Sequence, residues 1–311
     1  MMRKKLIVFT GPTGSGKTEK VIEFSKQNPF IELVNCDTVQ IYKYFDIGSA
    51  KGKLEDFSPE IGFSIQNDYD LKLSHKAKRY AGTNIPIWAI DYLNPDKQID
   101  VFSFQKLVRN LVLQIWDRGN IPVLVGGSGY YLSAVLFKYE FSKHIINNVT
   151  SAAFEAMSVE QLQDEIRKRG IDVNVLNESD RNNPRRLINV LKRGFVRPSE
   201  EISQKHFDFD LILTMPSFFD LEKILYERVG KMFKDGLIEE CANIKNYWGD
   251  RIVPNLRNSS GYRQVFDYLD RGGGVGADIE KLKESVYLSH KRLAKKQIRW
   301  FRKYFSKWYS G

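Results

Sequence analysis

The stretch "LIVFTGPTGSGKTEK", residues 6–20, runs from an apolar segment through a glycine-rich turn into a polar, helix-prone one. Within it Gly11-Pro12-Thr13-Gly14-Ser15-Gly16-Lys17-Thr18 satisfies G-x-x-x-x-G-K-[ST], with a strand expected before it and a helix after it, the context that gives this spacing meaning. The glycines let the backbone curl so that successive N–H groups converge, the helix N-terminus adds the positive end of its dipole, and Lys17 adds a mobile cation. Thr18 offers a hydroxyl to Mg²⁺. The eight residues therefore predict a phosphate-binding loop, and leave open whether the phosphates are cleaved or depart as a leaving group.

Outward from this loop the first 140 residues alternate strand and helix. "FIELVNCD" (30–37) reads as a second strand, "IPIWAIDYL" (85–93) as a third and "IPVLVGGSG" (121–129) as a fourth, with "FSFQKLVRNLVLQIWDRG" (102–119) as a helix between the last two. That order predicts a doubly wound, P-loop NTPase-like α/β sheet covered on both faces. From Phe141 the chain turns polar and helix-prone until "FDFDLILTMP" (207–216), a fifth strand. Residues 141–205 are thus expected to be a helical insertion, and 1–140 with 206–311 the core. A helix follows over 218–236, "RNSSGYRQV" (257–265) reads as a loop, "RGGGVGAD" (271–278) as a flexible turn, and the rest as a long basic helix.

Composition narrows the class. With 311 residues the chain is long enough for two domains. Its longest apolar runs fall well short of the ~20 residues a membrane helix needs, so no membrane span is expected. "MMRKK" is not followed by a secretory pattern, which makes the cytoplasm the expected location. Cys36 and Cys241 match no metal or disulfide spacing and read as buried thiols, and the four histidines are scattered singly. The net charge of +10 favours a polyanionic partner, and residues 281–311 concentrate it: ten Lys or Arg against the single acid Glu284, with seven aromatics interleaved.

A phosphate loop in an NTPase is normally served by a strand ending in a metal-binding aspartate. The fourth strand instead ends in Gly126-Gly127-Ser128, which suits close approach of backbone to ligand. Asp37 ends the second strand, at the sheet edge that faces the ligand crevice. There it reads as a general base on an incoming nucleophile, or as a cap for the next turn.

Further blocks carry a resemblance. "CDTVQIYKYFDIGSAK" (36–51), "LVGGSGYYLSAVL" (124–136), "SSGYRQ" (259–264) and Leu293-Ala294-Lys295-Lys296-Gln297 with Trp300 together resemble the tRNA dimethylallyltransferase family over most of the chain. The resemblance implies transfer of a dimethylallyl group from its diphosphate to N6 of the adenosine next to the anticodon, with tRNA and dimethylallyl diphosphate as partners, Mg²⁺ as cofactor and a monomeric enzyme. It implies that Gly11 to Thr18 hold the diphosphate with Mg²⁺ near Thr18, that Asp37 takes the amine proton, that Ser128 hydrogen-bonds the bridging oxygen and that Arg228 adds a cation. It further implies that Asp37, Thr38, Val39 and Gln40 surround the extruded adenine. Gly261, Tyr262, Arg263, Lys291 and Lys295 would touch tRNA, as would Arg185 and Arg186 of "NNPRRLINVL" (182–191), which resembles the family's D-P-x-R-L block. Tyr42 reads equally as pocket or core, and Arg228 also as a solvated helix position.

The chain departs from the family pattern in places. Ser128 and Thr38 exchange one hydroxyl residue for another, while Asn189 and Lys291 stand where arginine is common and lose its planar two-pronged contact. "WAIDYLNP" (88–95) and "FKYEFSKHIINNV" (137–149) keep little of the family pattern. Two other readings stay open on the residues: a small-molecule kinase, which also pairs a phosphate loop with an aspartate ending strand two, and a non-catalytic tRNA-binding paralogue.

Overall fold

A computed structural model describes residues 4–57, 62–65, 73–138, 153–176, 178–193, 204–273 and 277–308. The chain divides into two compact units, Met1–Leu136 with His206–Gly311, and Phe137–Lys205. The first unit opens with β1 (Ile7–Thr10), α1 (Lys17–Lys26), β2 (Ile31–Asn35), β3 (Leu54–Asp56), β4 (Gly62–Ile65), β5 (Leu73–Lys76), β6 (Lys78–Tyr80), β7 (Ile87–Trp88), α2 (Val101–Asp117), β8 (Ile121–Gly126) and α3 (Gly129–Leu136). The second unit holds α4 (Val159–Lys168), α5 (Glu178–Arg181) and α6 (Pro184–Arg193). The first unit then resumes with β9 (Asp210–Leu213), α7 (Phe218–Lys234), α8 (Leu237–Trp248), α9 (Pro254–Arg257), α10 (Tyr262–Asp270) and α11 (Ala277–Tyr304).

The sheet order is β3-β6-β7-β2-β8-β1-β9, and the five strands from β7 to β9 are parallel. Every residue of β1 and β2 is buried, as the uninterrupted apolar runs require of strands covered on both faces. Glu32 sits fully buried in β2, satisfied by Trp88 Nε1 (2.6 Å), Arg118 Nη2 (2.6 Å) and Asn120 Nδ2 (2.8 Å). β1 lies between β8 and β9 in the register Thr10↔Gly126 and Thr10↔Leu213, so the phosphate loop leaves an interior strand one in from the β9 edge of the sheet.

Three details differ from the sequence reading. The expected third strand contributes only Ile87–Trp88: Pro86 brings no N–H, and Ala89 and Asp91 adopt φ of 57° and 50°, which breaks the ladder. Short antiparallel strands, β3 and β6 on the sheet edge and the separate β4–β5 hairpin, occupy a segment with no apolar run long enough to announce them. And "RNSSGYRQV" is not all loop, because α10 begins at Tyr262, with Gln264 accepting the Gly261 N–H at 3.0 Å.

Helix termini follow their capping chemistry. Asp100 accepts from the Ser103 N–H at the start of α2, and Ser217 from Asp220 N–H at the start of α7. α2 buries Phe104, Leu107, Val108, Leu111, Val112 and Ile115 at helical spacing. α11 buries Leu282, Val286, His290, Ala294 and Phe301, with Phe305 buried just past its end, while Leu293 and Trp300 are half-buried flanks of that stripe. In the second unit α4 starts with a capping box between Ser158 and Gln161. Leu162, Ile166, Leu187 and Leu191 pack there with Phe154, Val173 and Leu176. Residues 139–152 and 194–203, within the expected insertion, lie outside the described residues.

Candidate active site

The phosphate loop is closed by the Ser15 N–H on the Pro12 carbonyl (3.2 Å). Gly16 takes φ 75° as the residue before α1 and supplies no side-chain cap, so the first N–H groups of α1 are left for an anion. Lys17 Nζ donates to the Pro12 carbonyl at 3.4 Å. Thr13 is held twice: its N–H donates to Gln297 Oε1 at 2.8 Å, and its hydroxyl accepts from Arg228 Nη1 at 3.0 Å. The loop forms one wall of a cleft of about 640 Å³ that Asp37, Gln40, Ser49, Lys51, Tyr80 and Arg228 also line. β8 closes on it through Gly126, where a Cβ would fall 2.3 Å from the Cys36 backbone.

Asp37 lies two residues beyond the end of β2. Its Oδ1 accepts from Val39 N–H (2.9 Å) and Gln40 N–H (3.3 Å), capping the turn, while the residue also lines the cleft beside the phosphate loop. Buried Asn35 sets the turn's entry, its Oδ1 accepting the Asp37 N–H (3.1 Å) and its Nδ2 donating to the Asp37 and Ala89 carbonyls (3.1 and 2.9 Å). Ser128 Oγ stands 3.4 Å from both the N–H and the hydroxyl oxygen of Thr38, which joins the β8 end to the aspartate turn. Arg228 is no solvated helix position: Nη2 reaches the Ser49 carbonyl at 3.3 Å, the same carbonyl that accepts from Gln40 Nε2 at 3.0 Å.

Burial brings the Lys17 ammonium down to about 8, with Asp37 pulling upward and the Arg228 cation pushing further down. Burial likewise lowers Arg228, opposed by Asp37 and Glu19. Two cations thus share a desolvated pocket that a polyanion would neutralise. Tyr80, at the end of β6, hydrogen-bonds Thr18, and burial pushes its phenol up. Among the described residues no group of three or more His, Cys, Asp or Glu converges. A Mg²⁺ here would therefore draw on the Thr18 hydroxyl, phosphate oxygens and water, a donor set that suits this ion.

The segment from Asp37 to Gly52 is pinned by Lys51 and Glu240, to which sequence reading assigned no role, and by Tyr262, which it expected on tRNA. Lys51, 1% exposed, spends all three donors, on the Tyr42 carbonyl (2.7 Å), Asp46 Oδ1 (2.5 Å) and Asp91 Oδ1 (2.5 Å). Glu240 of α8 accepts N–H groups from Asp46 (3.1 Å), Ile47 (2.7 Å) and Gly48 (3.3 Å). Tyr262 donates its hydroxyl to Glu240 (2.8 Å) and accepts the Ser49 N–H (3.2 Å). The described non-glycine residues at positive φ, Tyr44, Ala50, Ala89 and Asp91, all belong to this segment or to the strand end it pairs with. Backbone strain of that kind persists where surrounding contacts over-determine it.

The residues expected on RNA divide. Gly261 and Tyr262 are buried, Tyr262 with 0% exposure, so the expected contact with RNA is corrected for both: the Tyr262 hydroxyl holds the 45–49 loop, and a Cβ at Gly261 would fall 2.8 Å from His290 Nε2. Tyr42, 3% exposed, is core. Arg263 is exposed beside Asp267 (3.5 Å). Lys291 pairs with Glu222 at 2.6 Å, and it and Lys295 lie over the Phe218 ring at 5.9 and 4.8 Å. Arg185 and Arg186 are exposed on α6 of the second unit. Both cysteines are buried free thiols.

Residues 72–304 match the family profile described as IPP transferase. The chain is 27% identical to the tRNA dimethylallyltransferase of Alkaliphilus oremlandii, with 99% of this chain and 92% of that protein covered. With that of Bacillus anthracis it shares 28% identity, covering 97% and 89%. Its fold is similar to the tRNA delta(2)-isopentenylpyrophosphate transferase of Staphylococcus epidermidis (24% identity, TM-score 0.62, 97% of this chain and 91% of that one). It is also similar to a eukaryotic dimethylallyltransferase acting on tRNA (19% identity, TM-score 0.71, 96% and 70%). A profile matched over residues 72–304, most of the chain, places it plainly: the chain belongs to the IPP transferase family.

Proposed function

We propose that the protein transfers a dimethylallyl group from dimethylallyl diphosphate to N6 of the adenosine on the 3′ side of the anticodon in tRNA. The observation that carries this reading is the meeting, in one cleft, of Asp37 with two desolvated cations, Lys17 and Arg228, around the phosphate loop. The names of the relatives support it.

In this reading the N–H groups from Gly14 to Thr18, Lys17 and Arg228 hold the diphosphate and take up the charge it gains on leaving, in a site where desolvation strengthens each interaction. Mg²⁺, held by the Thr18 hydroxyl, would neutralise part of that charge. The N6 lone pair forms the new N–C bond as the C–O bond to the diphosphate breaks, and the N6 proton passes to the Asp37 carboxylate. Ser128, beside Thr38, is placed to hydrogen-bond the leaving oxygen. The base must leave its stack to arrive here, and Thr38, Val39 and Gln40 form the rim that receives it. Arg263, Lys295 and the second unit's Arg185 and Arg186 supply cations for the RNA backbone. In this reading the protein works as a monomer in the cytoplasm, where tRNA is found.

The test is to incubate the protein with dimethylallyl diphosphate or ATP, with and without tRNA, and weigh the digested nucleosides. Prenylated adenosine that requires both diphosphate and tRNA is the expected result. Phosphoryl transfer from ATP independent of tRNA would instead identify a kinase, and tRNA binding without product a non-catalytic paralogue.

A further inference from the structure

α11 carries most of its basic residues outward, whereas Gln297 turns inward. Gln297 spans the cleft's two walls: Oε1 accepts the Thr13 N–H at 2.8 Å, and Nε2 donates to the Gly127 carbonyl at 2.9 Å. The carboxamide has one possible orientation here, since only its oxygen can accept and only its nitrogen can donate. Three residues on, Trp300 packs so closely on α3 that a Cβ at Gly129 would lie 2.2 Å from its ring, which fixes the helix from which Gln297 reaches. Gly127 admits the amide because it has no side chain: a Cβ there would fall 2.8 Å from Gln297 Nε2 and 3.6 Å from Lys17 Nζ.

We propose that Gln297 is a positioning residue that sets the spacing and orientation of the phosphate loop against the Gly126-Gly127-Ser128 turn, and thereby of leaving group against acceptor. The inference rests on the functional reading above for its kinetic part. Because the Thr13 N–H is already engaged, the amides offered to an anion begin at Gly14. Thr13 also receives Arg228 on its hydroxyl, so a displaced Thr13 carries that guanidinium out of place. Ser128 follows Gly127 directly, so releasing the Gly127 carbonyl frees the hydroxyl that faces the leaving oxygen.

Two variants of the full chain test this. Gln297→Met keeps the volume and loses both hydrogen bonds; misplacement on this scale lowers kcat by about 10²-fold. It also weakens inorganic pyrophosphate binding, measured by calorimetry at matched folding, with the melting curve as control. Gln297→Glu is the discriminating variant. Its carboxyl, when protonated, donates to the Gly127 carbonyl and accepts from Thr13, reproducing both bonds; when ionised it has no donor and opposes the diphosphate. Pyrophosphate affinity relative to wild type is therefore expected to recover as pH falls, by about tenfold per unit until the carboxyl is protonated, while the Gln297→Met deficit stays flat with pH. A pH-independent Gln297→Glu deficit, or wild-type binding and kcat in Gln297→Met, overturns the proposal. Since pyrophosphate binding needs no RNA, a wild-type protein that makes no prenylated adenosine but shows this pH signature would sink the assigned reaction alone. An active wild type without the signature would sink the role of Gln297 alone.

Discussion

Lys17 and Asp37 line the same cleft and are prepared for opposite tasks. The ammonium, brought down to about 8 by burial, is still mostly charged near neutral pH, and an arriving anion tightens its hold on that proton. The sign follows: below about 8 the charged form is already present, and above it each bound diphosphate must draw a proton from solution. Pyrophosphate affinity is accordingly expected to fall as pH rises through 8, by up to about tenfold per unit, and Lys17→Met should remove that step along with most of the affinity, as a calorimetric pH series would reveal. Asp37 caps a turn and faces the cleft at once, and one substitution separates the two. Asp37→Asn keeps an oxygen for the Val39 and Gln40 N–H groups while losing the base. Single-turnover prenyl transfer should drop by at least about 10²-fold with RNA and pyrophosphate affinities nearly unchanged. An equal loss of binding would make Asp37 a structural residue.

At the scale of elements, the active-site turn is held from three sides: by Asn35 at the end of β2, by Lys51 against Asp46 and Asp91, and by the Glu240–Tyr262 pair from α8 and α10. Lys51 was visible in the DIGSAK block, but nothing in its neighbours announced that it would be the fully buried member of an ion cluster. Glu240 was invisible, because its partners are three backbone N–H groups some 190 residues away, and backbone groups leave no trace in a sequence pattern. Lys51→Met leaves two carboxylates facing each other. Because both retain some contact with water, the cost should be near the lower end for a broken buried pair, about 3 kcal/mol by denaturant unfolding. Tyr262→Phe removes a buried hydroxyl between Glu240 and Ser49 and should cost about 1–3 kcal/mol, with RNA affinity preserved at a temperature where the variant is folded. A selective loss of RNA affinity at full stability would return Tyr262 to the RNA surface.

For the whole molecule, whose net charge is +10, residues 281–311 concentrate ten Lys or Arg against one acid, a composition that would make RNA association strongly dependent on salt. Lys295 is exposed, whereas Lys291 is engaged with Glu222. Lys295→Ala should therefore lower the slope of log affinity against log salt by about 1, and Lys291→Ala by less, in filter-binding titrations of an anticodon stem-loop. The glycine spacing of the phosphate loop announced a turn between strand and helix, and the alternation of apolar runs with helices over the first 140 residues announced the parallel sheet, because hydrophobic period and glycine spacing are local properties of a chain. Asp37 was legible for the same reason, as the residue following a strand at the sheet's ligand edge. Gln297 on the phosphate loop, Arg228 on Ser49, Tyr262 on Glu240 and the buried Lys51 were decided only by tertiary structure. Each is a hydrogen bond between groups that the chain separates and the fold brings together, and which partner a polar side chain finds depends on what desolvation leaves within its reach.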